Sequence, residues 1–317
     1  MKSKVLRIGT RESQLAVWQA KQVKELLANQ GYESELVYIK SEGDIDLQTP
    51  LYEIGVQGIF TRSLDIALLN NRIDLAVHSM KDVPTKLPKG LVQSAVLKRA
   101  SHKDLFVYKD ESLVEKWQLN NSFLNSPLQV TGTIATSSIR RKAQWLNRYP
   151  DHTIENLRGN VNTRLRKVEE SDWNGAIFAT AGLERIDVRP EKSIELDWMV
   201  PAPAQGAIVV ICRDEDIFSF EACQLFNDRE SAVCTKIEKD FLRVLLGGCS
   251  TPISALAQIK NETLYFKGNI FAVDGSERAD VEKAVNIKDA ANLGEIAALE
   301  VLANGGKHIA DSIHHER

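Results

Sequence analysis

Four short stretches of this chain carry side chains able to do chemistry. The first is Val77-His78-Ser79-Met80-Lys81-Asp82-Val83-Pro84, where an apolar run ends on a cation and a carboxylate. In open α/β sheets such strand ends are where ligands bind. A carboxylate placed there can protonate a leaving amine or stabilise a developing positive charge. The second is Thr136-Ser137-Ser138-Ile139-Arg140-Arg141, with hydroxyls where a helix would start. Free N–H groups and the helix dipole favour an anion at that point, and arginine adds a fork of donors for carboxylate. The third, Leu157-Arg158-Gly159-Asn160-Val161-Asn162-Thr163-Arg164, has the same strand-to-helix form. The fourth is Leu245-Leu246-Gly247-Gly248-Cys249-Ser250-Thr251-Pro252. Two glycines let the backbone turn tightly before a thiol, a candidate nucleophile. Read one at a time, the first, second and fourth have ordinary alternatives: a surface turn, a capped helix with solvated arginines, and a small buried thiol. Two strand-end arginine motifs in one lobe would converge on one cleft, which weighs against coincidence.

The elements that would position these residues follow from periodicity. Val5–Thr10, Glu35–Lys40 and Asp74–His78 read as strands. Between them, Ser13 to Asn29 reads as a helix with Ala16, Ala20, Val23 and Leu27 on one face, and Thr61 can cap a second helix carrying Leu64, Ala67 and Leu68. The middle third repeats the alternation. Gln129–Thr136, Thr153–Leu157 and Ala176–Thr180 read as strands, with helices over Ser138–Arg148 and Val161–Glu170. Pro201 and Pro203 break the chain, and Ala207–Cys212 is an apolar strand able to return to the first sheet. The last ninety or so residues change character. A helix near Arg229–Leu246 precedes antiparallel strands at Ser254–Lys260, Thr263–Ala272 and Val281–Ile287, with turns at Asn261-Glu262 and Asp274-Gly275. A last helix near Ala290–Asn304 is expected to stop at Gly305-Gly306. The pattern is α/β, with two similar lobes of parallel-rich sheet enclosing a cleft and a small C-terminal α+β domain.

At 317 residues the chain is too long for one ordinary core, since domains average about 150 residues. Apolar residues make up 43% and charged residues 26%, the balance of a globular protein. No run approaches the roughly 18–20 apolar residues of a membrane span. The start, MKSKVLRIGT, has no long apolar stretch and no small-residue cleavage site, so a cytoplasmic protein without a signal peptide is expected. A net charge of −3 gives no field for nucleic acid. The cysteines at 212, 223, 234 and 249 form no CxxC pair and no metal-ligand spacing, so no metal is expected.

Taken together the motifs resemble those of hydroxymethylbilane synthases. RIGTRESQLAVWQA (7–20), VHSMKDVP (77–84), TSSIRRKAQ (136–144), LRGNVNTRL (157–165), ATAGLERI (179–186), PAPAQGA (201–207) and FLRVLLGGCSTPISALA (241–257) stand in the family's order. The resemblance implies a fold of two type II periplasmic-binding-protein-like lobes plus a C-terminal domain. It implies condensation of four porphobilinogen molecules with water to give hydroxymethylbilane and four ammonia, without metal or nucleotide. It implies a dipyrromethane cofactor on a thioether to Cys249. Asp82 matches the aspartate that helps ammonia leave, steadies the azafulvenium cation and assists deprotonation. Arg11, Ser13, Lys81, Ser137, Ser138, Arg140, Arg141, Arg158, Arg164 and Arg185 match the residues that bind the rings' acetates and propionates. Gln19 and Phe60 match residues lining the cleft, and Gln205 matches the glutamine of a GQG segment.

The sequence departs from the family pattern at a loop thought to cover the cleft, where Glu53 and Gln57 replace two lysines. Ala204 replaces a glycine and Ile211 replaces a frequent glutamate. The expected domains are 1–100 with 200–225, 101–199, and 226–317, in a monomer whose only partner is its substrate. Two alternatives differ in kind. A non-catalytic two-lobed binding protein needs neither Asp82 nor a loop cysteine, and an inactive family member is suggested by Glu53 and Gln57.

Overall fold

The computed structural model describes residues 4–40, 61–119, 131–245 and 251–315. Cys249, Phe60, Glu53 and Gln57 lie outside the described residues. The chain divides into two compact units. One holds the described residues up to Ala100 together with Gly206–Val233, and the other holds Ser101–Gln205 and Cys234–Arg317.

The first unit is built on a five-stranded sheet. β1 (Leu6–Thr10) pairs in parallel with β2 (Ser34–Tyr38) and β3 (Leu75–Ser79). β10 (Ile208–Arg213) returns antiparallel between β3 and β4 (Leu91–Val96), giving the order β2-β1-β3-β10-β4. The expected return of the 207–212 strand to the first sheet is therefore observed. α1 (Gln14–Asn29) buries Ala16, Ala20, Val23 and Leu27, and the last three join Leu6, Ile8, Leu75 and Val77 in one core. α7 (Ile217–Gln224) adds Ala222 and Cys223 to it. β3 alternates as strand geometry requires. Leu75 and Val77 enter that core, while Ala76 and His78 point to the other face.

α2 (Arg62–Leu69) starts differently from the expectation. Thr61 is itself in helical geometry and makes no capping bond; its hydroxyl bonds Asp65 instead. Asp65 is 6% exposed, its Oδ1 has no hydrogen-bond partner, and burial pushes its carboxyl up to about 6 despite Thr61. A carboxyl raised in the folded state favours folding at low pH, and that benefit is lost as pH rises through about 6. Asp65→Asn should therefore melt higher than the parent at pH 8, by on the order of 1–2 kcal/mol. The gain should vanish near pH 4, which thermal melts across that range measure.

The second unit contains two sheets. β5 (Asp104–Tyr108), β6 (Gly132–Ala135), β7 (His152–Glu155), β8 (Gly175–Ala179) and β9 (Ser193–Glu195) lie in the order β7-β6-β8-β5-β9. β6 is parallel to β7 and β8, and β5 is antiparallel to β8 and β9. The scheme repeats that of the first sheet: three parallel strands, one reversed, then an edge strand. Both faces are covered, so β5 is apolar on both. Phe106 packs with Trp117, Trp145 and Tyr149, while Leu105 and Val107 pack with Leu157, Val168 and Phe178. The helices are α3 (Ser112–Lys116), α4 (Ile139–Arg148), α5 (Val161–Glu170) and α6 (Thr180–Glu184).

The three-stranded sheet of this unit is antiparallel, as expected. Its strands are β11 (Ile253–Lys260), β12 (Thr263–Phe271) and β13 (Arg278–Asn286). Asn261 and Glu262 both take positive φ, 48° and 64°, in the two-residue turn between β11 and β12. α8 (Arg229–Val244) and α9 (Leu293–Val301) contribute Phe241, Ile237, Leu293 and Ala297 to a core with Phe266 and Ile270. The glycine pair expected to end the last helix kinks it instead. Gly305 takes φ +99°, and the chain continues as α10 (Lys307–His315).

Candidate functional site

In the first unit, β1 and β3 are adjacent and parallel, with Ile8 opposite Leu75 and Gly9 opposite Ala76. The segments that follow them therefore leave from one sheet edge. The first carries Arg11 and Ser13; the second is the 3-10 turn Met80–Asp82, carrying Lys81. Ser13 caps α1, its hydroxyl accepting from the Ala16 N–H at 3.4 Å. Gln19 is buried on α1 and donates Nε2 to the Ser79 hydroxyl at 2.8 Å, tying the helix to the end of β3. Asp82 is half-buried and has no hydrogen-bond or ion-pair partner among the described residues. His78 is buried, its Nε2 without a partner, and burial with the nearby charge of Arg11 drives its pKa down to about 3. It is therefore neutral at physiological pH and adds no cation beside Asp82.

In the second unit three parallel strands end together, and each hands over to a segment bearing arginine. After β6 come Ser137, Ser138, Arg140 and Arg141; after β7, Arg158 and Arg164; after β8, Arg185. Ser138 caps α4 and Asn160 caps α5, the latter accepting from the Thr163 N–H at 2.9 Å. Arg164 donates Nε to the carbonyl of Gly159 at 2.7 Å. Burial draws the Arg185 guanidinium down to about 10. Arg158 is 3% exposed.

Arg140 and Arg141 are not open forks. Asp104, opposite Ala179 in the antiparallel register, reaches the same edge and is fully buried between them. Arg141 gives Nε and Nη2 to Asp104 Oδ1 at 2.9 and 2.7 Å, and Nη1 to the Ile177 carbonyl. Arg140 Nη2 stands 2.8 Å from Oδ2, an ion pair off the hydrogen-bond line. Gln205 donates Nε2 to Oδ1 at 3.0 Å and to the His102 carbonyl at 2.8 Å. Burial alone would raise the Asp104 carboxyl; the two guanidiniums and these bonds outweigh it and hold it at about 2. Two cations on one carboxylate leave one net positive charge buried at this edge, and Arg140 Nε has no partner. An opposite charge brought to this edge would offset that excess.

Two family models match the chain. "Porphobilinogen deaminase, dipyromethane cofactor binding domain" matches residues 6–219 and "Porphobilinogen deaminase, C-terminal domain" matches residues 232–303. The chain belongs to the porphobilinogen deaminase family. Named porphobilinogen deaminases agree with it end to end. That of Syntrophotalea carbinolica is 39% identical over 98% of this chain and 96% of its own length. That of Trichlorobacter lovleyi is 38% identical over 99% and 98%. Among solved structures, the methionine-binding protein MetQ aligns with 72% of this chain and 91% of its own, at 12% identity and a TM-score of 0.41. A likeness at that level carries no functional weight. As a porphobilinogen deaminase the chain is a transferase of tetrapyrrole biosynthesis, a hydroxymethylbilane synthase that works with a dipyrromethane cofactor. No helix among the described residues is long and apolar enough to cross a membrane.

The deaminase's cofactor has two pyrrole rings, each with two carboxylates. The arginine edge fits such a polyanion, because it is cationic after its internal carboxylate is counted. Sequence reasoning overlooked Asp104, whose only local signal is a charge at the start of the apolar run Leu105–Val107. It also overlooked Gln144, which pairs with Val200 and Ser254.

Proposed function

We propose that Cys249 carries the cofactor of this porphobilinogen deaminase and that Asp82 is its catalytic carboxylate. The observation that carries the proposal for Asp82 is its half-buried position at the end of β3, with no internal cation bonded to it among the described residues. An anion so placed lowers the energy of positive charge appearing in a pyrrole ring as ammonia leaves, and then accepts the proton lost after coupling. The bound dipyrromethane supplies a primer with a free pyrrole carbon. Arg140, Arg141, Arg158, Arg164 and Arg185 hold ring carboxylates, and Ser137 and Ser138 donate hydroxyls there. Arg11, Ser13 and Lys81 do the same beside Asp82. Gln19 fixes the end of β3 beneath them, and Gln205 holds Asp104. Phe60, outside the described residues, is assigned to the lining of the site by the family resemblance alone. Three domains, 1–100 with 200–225, 101–199 and 226–317, share this work in a cytoplasmic monomer that binds no nucleic acid.

The test is the intact mass of purified protein with a porphobilinogen turnover assay. Extra mass of two pyrrole units with turnover is expected. Its absence in active protein would overturn the tethered-cofactor reading, and its presence without turnover would mark an inactive member. Two variants then rank the carboxylate-binding residues. Gln57→Ala should change turnover by less than about tenfold, under ~1.4 kcal/mol. Arg140→Ala should be much worse, because a desolvated carboxylate loses its partner. Equal damage from both would make the segment around Gln57 a direct binding element.

A further inference from the structure

Gln144 is 4% exposed on α4, one turn beyond Arg140. Its amide is fully engaged by groups remote in sequence. Oε1 accepts from the Val200 N–H at 2.9 Å, and Nε2 donates to the Val200 carbonyl at 2.9 Å and to the Ser254 hydroxyl at 3.0 Å. The side chain thus pairs with both backbone groups of a single residue, as a residue of a neighbouring strand would. The same Val200 carbonyl also accepts from Arg140 Nη1 at 2.8 Å. The next carbonyl, of Pro201, accepts from the Ala255 N–H at 3.1 Å. Three pieces of chain therefore meet on one amide: the arginine turn of α4, the Val200-Pro201 segment, and the start of β11. Ser254 is itself fully buried, five positions after Cys249.

Helix packing alone needs no such amide, and an apolar side chain would fill the space without polar atoms to satisfy. We propose that Gln144 is a positioning residue, which fixes the arginine turn relative to the strand that follows the cofactor cysteine by clamping Val200 and Ser254. The inference rests on the assignment of Cys249 and Arg140 above. An enzyme that extends a chain on a tethered primer depends on this relation, because the tether sets where each carboxylate falls. A displacement of about 1 Å in such a relation can cost on the order of 10²-fold in rate.

A control lies on the same helix. Asn147 donates Nδ2 to the Gly275 carbonyl at 2.8 Å, where the β12–β13 turn presses on α4. That bond also joins α4 to the three-stranded sheet, but it touches neither Val200 nor Ser254.

The experiment compares Gln144→Met, which keeps shape and removes the donors, with Asn147→Ala. Each is measured for bound pyrrole mass, for kcat and KM per cofactor-loaded protein, for melting temperature, and for the ladder of masses after a limited pulse of porphobilinogen. Gln144→Met should keep the cofactor mass, lose kcat by about tenfold or more, and stall the ladder at partly extended species. Asn147→Ala should melt lower but keep the parental kcat and ladder. A parental kcat and ladder in Gln144→Met overturns the inference. So does an equal kcat loss in Asn147→Ala, which would mean that any loosening of α4 has the same effect. If Gln144→Met does not fold or load, Ser254→Ala takes its place. It removes one of the three bonds and should shift kcat and ladder the same way by a smaller factor; no shift overturns the inference. Failure of the underlying assignment reads differently, as cofactor mass persisting in Cys249→Ser.

Discussion

Asp82→Asn is expected to fold, to keep most of its cofactor, and to lose turnover by on the order of 10²–10³-fold. The substitution preserves shape and removes only charge. It should cost little stability, within about 0.5 kcal/mol, because Asp82 is half-buried and bonded to nothing among the described residues. Its cost falls instead where positive charge develops. Departure of ammonia leaves a cation spread over a pyrrole ring, and a fixed carboxylate beside it needs no reorganisation at that moment. The surroundings sharpen the effect. His78 is neutral, so it adds no cation that would offset the carboxylate. Asp82→Glu keeps the charge on a longer stem and should fall between the parent and Asp82→Asn. Steady-state turnover, normalised to cofactor mass, measures both. Near-normal turnover in well-folded Asp82→Asn would remove the residue from the chemistry.

The parts of the fold legible in the sequence were those whose cause is local. α1 announces itself through Ser13 and a single apolar stripe, and α5 spans Val161–Glu170 as its pattern predicts. The strand ends that lead to Asp82, Arg140 and Arg158 were legible for the same reason, since a strand ends where its apolar run ends. What escaped was set by distant partners. β5 begins with Asp104, which reads as a surface charge until Arg140 and Arg141 come round to bury it. Gln144 reads as an ordinary helical polar residue until Val200 and Ser254 arrive from far along the chain. Arg140 and Arg141 are for this reason partly spent on protein, which leaves only their surplus positive charge unmatched. Buried charge is not itself a mark of function. Asp74, between Arg7 and Arg213 at the other end of β3, is as deeply buried and lies away from every residue assigned to the reaction.

Cys249→Ser should abolish bound pyrrole mass and, with it, turnover. The chain offers four thiols, and three are poorly suited to attack. Cys212 and Cys223 are fully buried in the core of the first sheet, where burial pushes their thiols up to about 11 and about 12. The thiolate is the reactive form, so both are inert near neutral pH. Cys234 is 4% exposed, in the core of the three-stranded sheet. Cys249 stands between two anchored elements: α8 ends at Val244 and β11 begins at Ile253, each rooted in that same core. A serine hydroxyl is too weak a nucleophile at neutral pH to replace the thiolate. The variant should also melt lower than the parent, because a tethered ligand that binds only the folded state stabilises it. Cys212→Ala, Cys223→Ala and Cys234→Ala, tested singly, should each keep the added mass. Intact mass and the colour reaction with an acidic aldehyde reagent report the outcome directly. Retention of both by Cys249→Ser would place the attachment elsewhere and would remove the basis for tying Gln144 to the tether.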